Sequence, residues 1–518
     1  MKSIRARNLR SFSNDDSQPY IDLKPITVFV GKNSCGKSSL LRTLPMLRQS
    51  IESRTSGPFL WYGNYVDYGS FTEAKNKNSN EHTITLDYNF DIRLSPTTSV
   101  FQKDNRIPIE LELSVSESKR ATIANKIKLR INKTDFEIFF DRNKPKLIVD
   151  NKKIETDFSY YFGRDGVLPS IAIDNFEILD EFNDSWFNDG DSQDDLDQLI
   201  SDYELNNAIS RKNVRDISRI VKTKIDFIGD ELSLESFIVT NLDLIPKSDV
   251  ESAIEKIFHL NAPLSKEDID QIYKNLLIVF LPKLIDRINV YLSNYAKSIR
   301  YIAPLRATAQ RFYRFQDLRV EELDHTGSNL AMLLRNMTVY EMKRFQRWCE
   351  ENFGFTVSVP ESQSLHYEIV IDINGQVNNI SDMGFGFSQI LPIITMLWFE
   401  TQSRRAPTRI RRVEGIPLTF VIEQPELHLH PQFQATLAKV FASIAHRAGS
   451  KFGTQIIFET HSKTMIDAIG DYIEENECAE LANIYIFEKE EDITIVKKSG
   501  FDSDGDLVNW PLGFFSGR

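Results

Sequence analysis

Residues 31–38 read GKNSCGKS, and four of them define a chemistry by type and spacing. Gly31 and Gly36 let the backbone turn so that successive N–H groups converge on an anion, Lys37 adds a cation and Ser38 a hydroxyl. The pattern G-x-x-x-x-G-K-S lies between the apolar run ITVFV and a helix expected from about Gly36 to Arg48. That is the setting of a loop cradling nucleotide phosphates at a helix N-terminus. Asn33, Ser34 and Ser39 complete the expected ATP-binding set, with Lys37 reaching the terminal phosphates and Ser38 holding Mg²⁺. Cys35, inside the loop, is read as incidental.

Such a metal needs a carboxylate at the end of a buried strand, and PLTFVIEQPE supplies Glu423 after an apolar run. In-line attack on the γ-phosphate also needs a group that orients water and takes its proton. Gln424 can orient water but cannot act as a base, and loss of a positioned base slows such a step by roughly 10²- to 10⁴-fold. Phosphoryl transfer depends mostly on positioning and charge stabilisation, so hydrolysis is expected to be slow rather than absent. Glu426, beyond the turn at Pro425, is the carboxylate that could take the missing role. His428 and His430 follow on the same loop, where a zinc pair and a contact with another copy both stay open. In TQIIFETHSKTMIDAI, His461 follows another apolar strand at the mouth of a helix and is a candidate γ-phosphate contact.

These groups need an α/β scaffold to position them. Two strands are expected in the first thirty residues, period-two segments from His82 to about Phe162, and helices over 204–300. In the last of these, apolar residues recur at Ile269, Ile272, Leu276, Phe280, Leu284, Ile288 and Leu292, interrupted by Pro282. Beyond 353 strands and helices alternate. The expected division is 1–75, the first part of a head with the phosphate loop; 76–175, an antiparallel β lobe; 176–300, an acidic loop and helical insertion; and 301–518, the rest of the head. The acid-rich stretch DEFNDSWFNDGDSQDDLDQ (180–198) is read as a solvated loop. In 518 residues the longest apolar runs, such as ILPIITMLWF, are about half of a membrane span, and the N-terminus lacks a secretory pattern. Three scattered cysteines exclude a disulfide framework or a zinc hook, so a cytoplasmic protein is expected.

Together, GKNSCGKS, DMGFGFSQILP (382–392), VIEQPELHLHP and ETHS resemble the ABC-type ATPase heads of the SMC, RecF and OLD kind. More closely, with the tail WPLGFF (510–515), they resemble bacterial AAA-family ATPases of anti-phage systems, including the PtuA subunit of Septu-like and retron-linked defence. The resemblance covers residues 1–75 and 297–518 and leaves the middle unmatched. It implies an ABC-type P-loop head assembled from both chain ends, in which a catalytic glutamate usually stands where this chain has Gln424. It also implies a homodimer in which ATP lies between the phosphate loop of one copy and the signature segment of the other. Gly384, Gly386 and Ser388 look like that signature, although the order departs from serine-glycine-glycine and leaves Ser381 open as well. The implied activity is slow ATP hydrolysis that regulates a separately encoded effector, a nuclease. Two alternatives stand beside it: a RecF- or SMC-like ATPase acting on DNA, and a non-hydrolysing nucleotide-gated scaffold. Arg404, Arg405, Arg409, Arg411 and Arg412 in SRRAPTRIRR, and the basic aromatic stretch KSIRYIAPLRATAQRFYRF (297–315), are candidate DNA or RNA contacts. A net charge of −12 excludes only a wholly basic nucleic-acid coat.

Overall fold

The computed structural model describes the chain except residues 17, 54, 56, 94–105, 141–144, 155–157, 164–165, 174–210, 227–230, 305, 315, 361–364, 403–414, 448–452, 512–513 and 516–518. The acidic stretch 180–198 and the arginines Arg404, Arg405, Arg409, Arg411 and Arg412 therefore lie outside the described residues. Two compact units emerge: Met1–Gln49 with Trp61–Glu81 and Asn294–Arg518, and Ser50–Leu60 with His82–Ser293.

The first unit is an α/β head built from both ends of the chain. Its main sheet contains β1 (Ile26–Gly31), β2 (Ile299–Ile302), β3 (Leu418–Glu423), β4 (Thr454–Glu459), β5 (Ala482–Glu490), β6 (Ile493–Phe501) and β7 (Leu507–Val508), in the order β2-β3-β4-β1-β5-β6-β7. The first five positions of that order run parallel; β6 and β7 add antiparallel strands at one edge. Every residue of β1, β3 and β4 is buried, as expected for parallel strands covered on both faces. This explains why ITVFV, LTFVI and QIIF are nearly continuous apolar runs. Five helices of this unit bear on the site: α1 (Lys37–Leu41), α2 (Thr43–Glu52), α3 (Phe385–Gln402), α4 (Pro431–Arg447) and α5 (Lys463–Asn476). The single helix expected over 36–48 is divided at Arg42. Pro45 has no N–H to return to Leu41, so it occupies the first turn of a new helix instead.

The second unit carries an antiparallel sheet whose strands Ile84–Arg93, Arg106–Ser118, Ala121–Ile131, Thr134–Phe139, Lys146–Val149 and Lys152–Ile154 each pair with the next. Its alternation is visible in Ile107, Ile109, Leu111, Leu113 and Val115, all buried. On the other face Glu110 stands opposite Arg130, which stands opposite Asp135. Such cross-strand pairs fix register, because a slip by one residue would expose the apolar set. The helices of this unit include Lys266–Val279 and Leu281–Ser298, divided where Pro282 interrupts the periodicity. The expected border between a β lobe and a helical lobe at 175/176 does not separate compact bodies. Asn132 bonds the Tyr273 hydroxyl at 3.0 Å, and the Asn289 carboxamide oxygen accepts from the N–H groups of Val167 and Leu168. The border with the head falls at Ser293/Asn294 rather than 300/301.

Candidate active site

The loop after β1 is held in a shape that few residues other than glycine can take. Gly36 has φ +98°, and a Cβ there would lie 2.6 Å from Thr494 Oγ1; Gly31 has φ +151°, and its Cβ would lie 2.3 Å from the Phe487 carbonyl. Both glycines thus serve a backbone turn pressed against the β5–β6 hairpin. Asn33 and Ser34 are exposed on the outer rim, Ser34 in the left-handed region. Lys37 is buried, and its ammonium donates to the carbonyls of Gly31 at 3.0 Å and Lys32 at 2.8 Å. The cation is thus held against its own loop, satisfied by acceptors it can exchange for phosphate oxygens. Ser39 is anchored through its carbonyl, which accepts from the Tyr68 hydroxyl at 2.6 Å. Burial raises the pKa of the Cys35 thiol, and its Sγ donates to the Lys32 carbonyl, a structural use. Beside the loop opens a cavity of about 530 Å³, lined among others by Arg10, Lys37, Ser38, Arg42, Tyr68 and Lys489. Its size and its cations suit a nucleotide.

β3 and β4 end level with each other: Glu423 and Glu459 are register partners, and both are buried. Arg42 grips Glu423 with two bonds of 2.7 Å, Nε to Oε1 and Nη2 to Oε2, and the Tyr301 hydroxyl donates to Oε1 at 2.6 Å. Glu459 accepts from the Ser38 hydroxyl at 2.7 Å. The hydroxyl expected to share a metal with Glu423 is therefore bonded to Glu459. Burial and the neighbouring charge of Glu423 push the Glu459 pKa up to about 7. The donors around this point are all oxygens, the Ser38 hydroxyl and two carboxylates, a set suited to magnesium rather than to a softer ion.

Beyond β3 the chain turns sharply. Gln424 takes φ +42°, a strained value for a residue with a side chain, and its N–H donates to the Glu459 carbonyl at 3.1 Å. Arg306, buried, donates from Nη2 to the Glu423 carbonyl at 2.9 Å and, more weakly at 3.4 Å, to that of Gln424. Burial lowers the Arg306 pKa to about 10, and its Nε and Nη1 have no hydrogen-bond partner among the described residues. Glu426 accepts from the His461 N–H at 2.7 Å through Oε1, while its Oε2 is buried without a hydrogen-bond partner among the described residues. Burial raises the Glu426 pKa. Burial, and after it the charge of Lys37, lowers that of His461, which leaves the imidazole neutral at neutral pH. His461 sits one residue before the helix cap: Ser462 caps α5 by accepting from the Met465 N–H at 3.1 Å.

The segment 382–392 lies against the same loop. Gly386 faces the His428 carbonyl, 3.2 Å from where its Cβ would be, and the Phe385 ring lies 5.9 Å from that of His428. Gly384, at φ +77°, has nothing within 4 Å of a Cβ position, so its backbone is open to approach. Ser388 is buried, with its hydroxyl spent on the Phe385 carbonyl at 2.7 Å; Ser381 is exposed. His428 and His430 are exposed, and His430 Nδ1 accepts from the Gln432 N–H at 3.3 Å.

Four participants escaped the sequence reading: Arg42, Tyr301, Arg306 and Glu459. Glu459 carried a signal, since it ends an apolar strand in the same way as Glu423. Arg300, Tyr301 and Arg306 were grouped with candidate nucleic-acid contacts, yet all three are buried, and Arg300 pairs with Glu400 at 2.7 Å. In that stretch Arg311 is exposed and pairs with Asp382 at 3.0 Å.

A glycine-turned cradle at the end of a central parallel strand, with a buried lysine, a hydroxyl and strand-end carboxylates, defines a P-loop nucleotide-binding protein. The chain belongs to the AAA ATPase domain family, whose description matches residues 1–466. Among solved structures it is similar to an Smc head bound to the C-winged helix domain of ScpA, at 11% identity, covering 97% of this chain and 98% of that one with a TM-score of 0.35. An Smc head from Pyrococcus furiosus bound to the C-terminal domain of ScpA gives 12% identity, 96% of each chain and a TM-score of 0.35. The SMC head domain from Thermotoga maritima gives 9%, 96% of this chain, 98% of that one and 0.34. No curated protein matches the chain. Among the described residues, no helix is long and apolar enough to cross a membrane.

Proposed function

We propose that this chain is an ABC-type ATPase head that binds Mg²⁺-ATP, hydrolyses it slowly, and joins a second copy of itself around the nucleotide to control a separately encoded effector. The observation that carries the reading is the cradle itself, with buried Lys37 bonded within its own loop, to the Gly31 and Lys32 carbonyls and to Cys35 Sγ, at the mouth of a nucleotide-sized cavity.

On binding, Lys37 exchanges the Gly31 and Lys32 carbonyls for phosphate oxygens, while the N–H groups of the loop and the start of α1 point at the same anion. Ser38 with a strand-end carboxylate would hold magnesium, which when bound would supply charge neutralisation to the phosphates. Gln424, fixed in its strained turn by Arg306 and by the Glu459 carbonyl, orients a water but accepts no proton. Glu426 is the nearest carboxylate on that loop, and its raised pKa makes it a better proton acceptor than an ordinary glutamate. Its Oε1 is engaged by the His461 N–H, so turnover through Glu426 would require that bond to be given up, in keeping with a long-lived ATP state.

The open backbone at Gly384 and the exposed Phe385 support contact with another copy. With Ser388 buried, Ser381 is the better candidate hydroxyl for the partner's γ-phosphate. The effector, a nuclease in anti-phage defence, rests on the resemblance of the chain's ends to defence ATPases.

The test is ATP turnover by the purified chain at several protein concentrations, with Lys37→Ala as the blank and Glu426→Gln beside it. Turnover that rises with concentration and drops about 10²-fold in Glu426→Gln is expected. A rate per chain that does not change with concentration would remove the composite site, and full activity in Glu426→Gln would remove the role of that carboxylate.

A further inference from the structure

Two buried glutamates stand side by side at the ends of β3 and β4, and a magnesium site of this kind needs one of them first. We propose that Glu459, at the end of the strand next to the phosphate-loop strand, is the carboxylate that shares the divalent cation with Ser38. Glu423 is then a positioning residue, kept out of the coordination shell by Arg42 and Tyr301. This rests on the Mg²⁺-ATP reading above and decides which residue completes it.

Geometry favours Glu459. Neighbouring ligands of an octahedral magnesium, each about 2.1 Å from the ion, are about 3 Å apart. Ser38 Oγ and Glu459 Oε2 already stand 2.7 Å apart. An ion that takes the place of this hydrogen bond needs only a few tenths of an ångström of movement from either group. The strand order gives the reason: β4 lies between β3 and β1, so its last residue is the nearer one to the phosphate loop.

Bonding leads to the same assignment. Both oxygens of Glu423 are engaged by the Arg42 fork, and one of them by the Tyr301 hydroxyl as well. A carboxylate with a bidentate arginine is already neutralised, and withdrawing it would break two charge-assisted bonds and strand the guanidinium. Glu459 has a neutral hydroxyl as its partner, is 2% exposed, and has a second carboxylate for a neighbour. Such a group gains most from a cation.

The experiment titrates Mn²⁺ into the full chain with a non-hydrolysable ATP analogue and follows the electron paramagnetic resonance signal of the free ion. Four proteins are compared: the unaltered chain, Glu459→Gln, Glu423→Gln and Lys37→Ala. Glutamine at 459 can still accept from Ser38, so the fold is retained, and thermal melts confirm it. The expected result is an Mn²⁺ affinity at least about 10-fold weaker in Glu459→Gln, with no loss of analogue affinity in the absence of metal, since a negative charge beside the phosphates is removed. Glu423→Gln is expected to melt earlier and to change Mn²⁺ affinity less than Glu459→Gln does. The assignment is overturned if Glu423→Gln loses the ion and Glu459→Gln keeps it, or if the two lose it equally. Failure of the broader reading looks different: the unaltered chain would not bind the analogue, or Lys37→Ala would bind it equally well.

Discussion

The ends of β3 and β4 are nearly identical in sequence pattern, an apolar run closing on glutamate, yet they are opposite in electrostatic state. At β3 the carboxylate is neutralised by Arg42 and tied to Tyr301. At β4 it has a hydroxyl for company and a like charge beside it. The first end has a bonded cation of its own; the second has none bonded to it and feels Lys37 and Arg42 only through space. If the proposed metal assignment holds, the two strand ends divide structural from ligand-responsive work, and substitutions at each should differ.

Removing the cation from the first end is expected to have the largest effect. Arg42→Ala leaves Glu423 buried without a counter-charge, and urea unfolding should show a loss of about 3 kcal/mol. An unchanged midpoint would mean that Glu423 finds water or another partner, and the contrast between the ends would collapse. Tyr301→Phe removes one hydrogen bond to the charged group and keeps the ring, so a loss of about 1.5 kcal/mol is expected in the same assay. The smallest effect has the opposite sign. Glu459→Gln removes a buried charge beside another, and at pH 8 without metal it should melt slightly higher than the unaltered chain. A lower melting temperature would show that the charge at 459 is already compensated in the metal-free protein.

Much of this was legible in the residues. The phosphate loop announces itself by spacing and by its place between an apolar strand and a helix. The period of two over 84–139 yields the antiparallel sheet, because one wet face demands alternation. The breaks before Pro282 and Pro45 follow from one rule, the missing N–H of a proline in a helix interior. Side-chain partnerships across the fold could not be read. Arg42 and Glu423 are 381 positions apart and Ser38 and Glu459 are 421 apart. No local pattern distinguishes an arginine that reaches inward from one that faces solvent. The stretch 297–315 shows the same limit: its cations suggested a surface, while Arg300 and Arg306 are core residues that hold a strand end and a strained turn.

The position of β1 has a consequence for how the protein is made. This strand comes early in the chain, but its hydrogen-bonding neighbours are β4 and β5, residues 454–459 and 482–490. During synthesis the phosphate loop leaves the ribosome without either strand that shapes it, and the whole of residues 82–293 is available to fold first. Non-local pairings of this kind are slow and form late. A chain interrupted between residues 39 and 453 would carry the complete nucleotide-binding motif without either of the strands that flank β1.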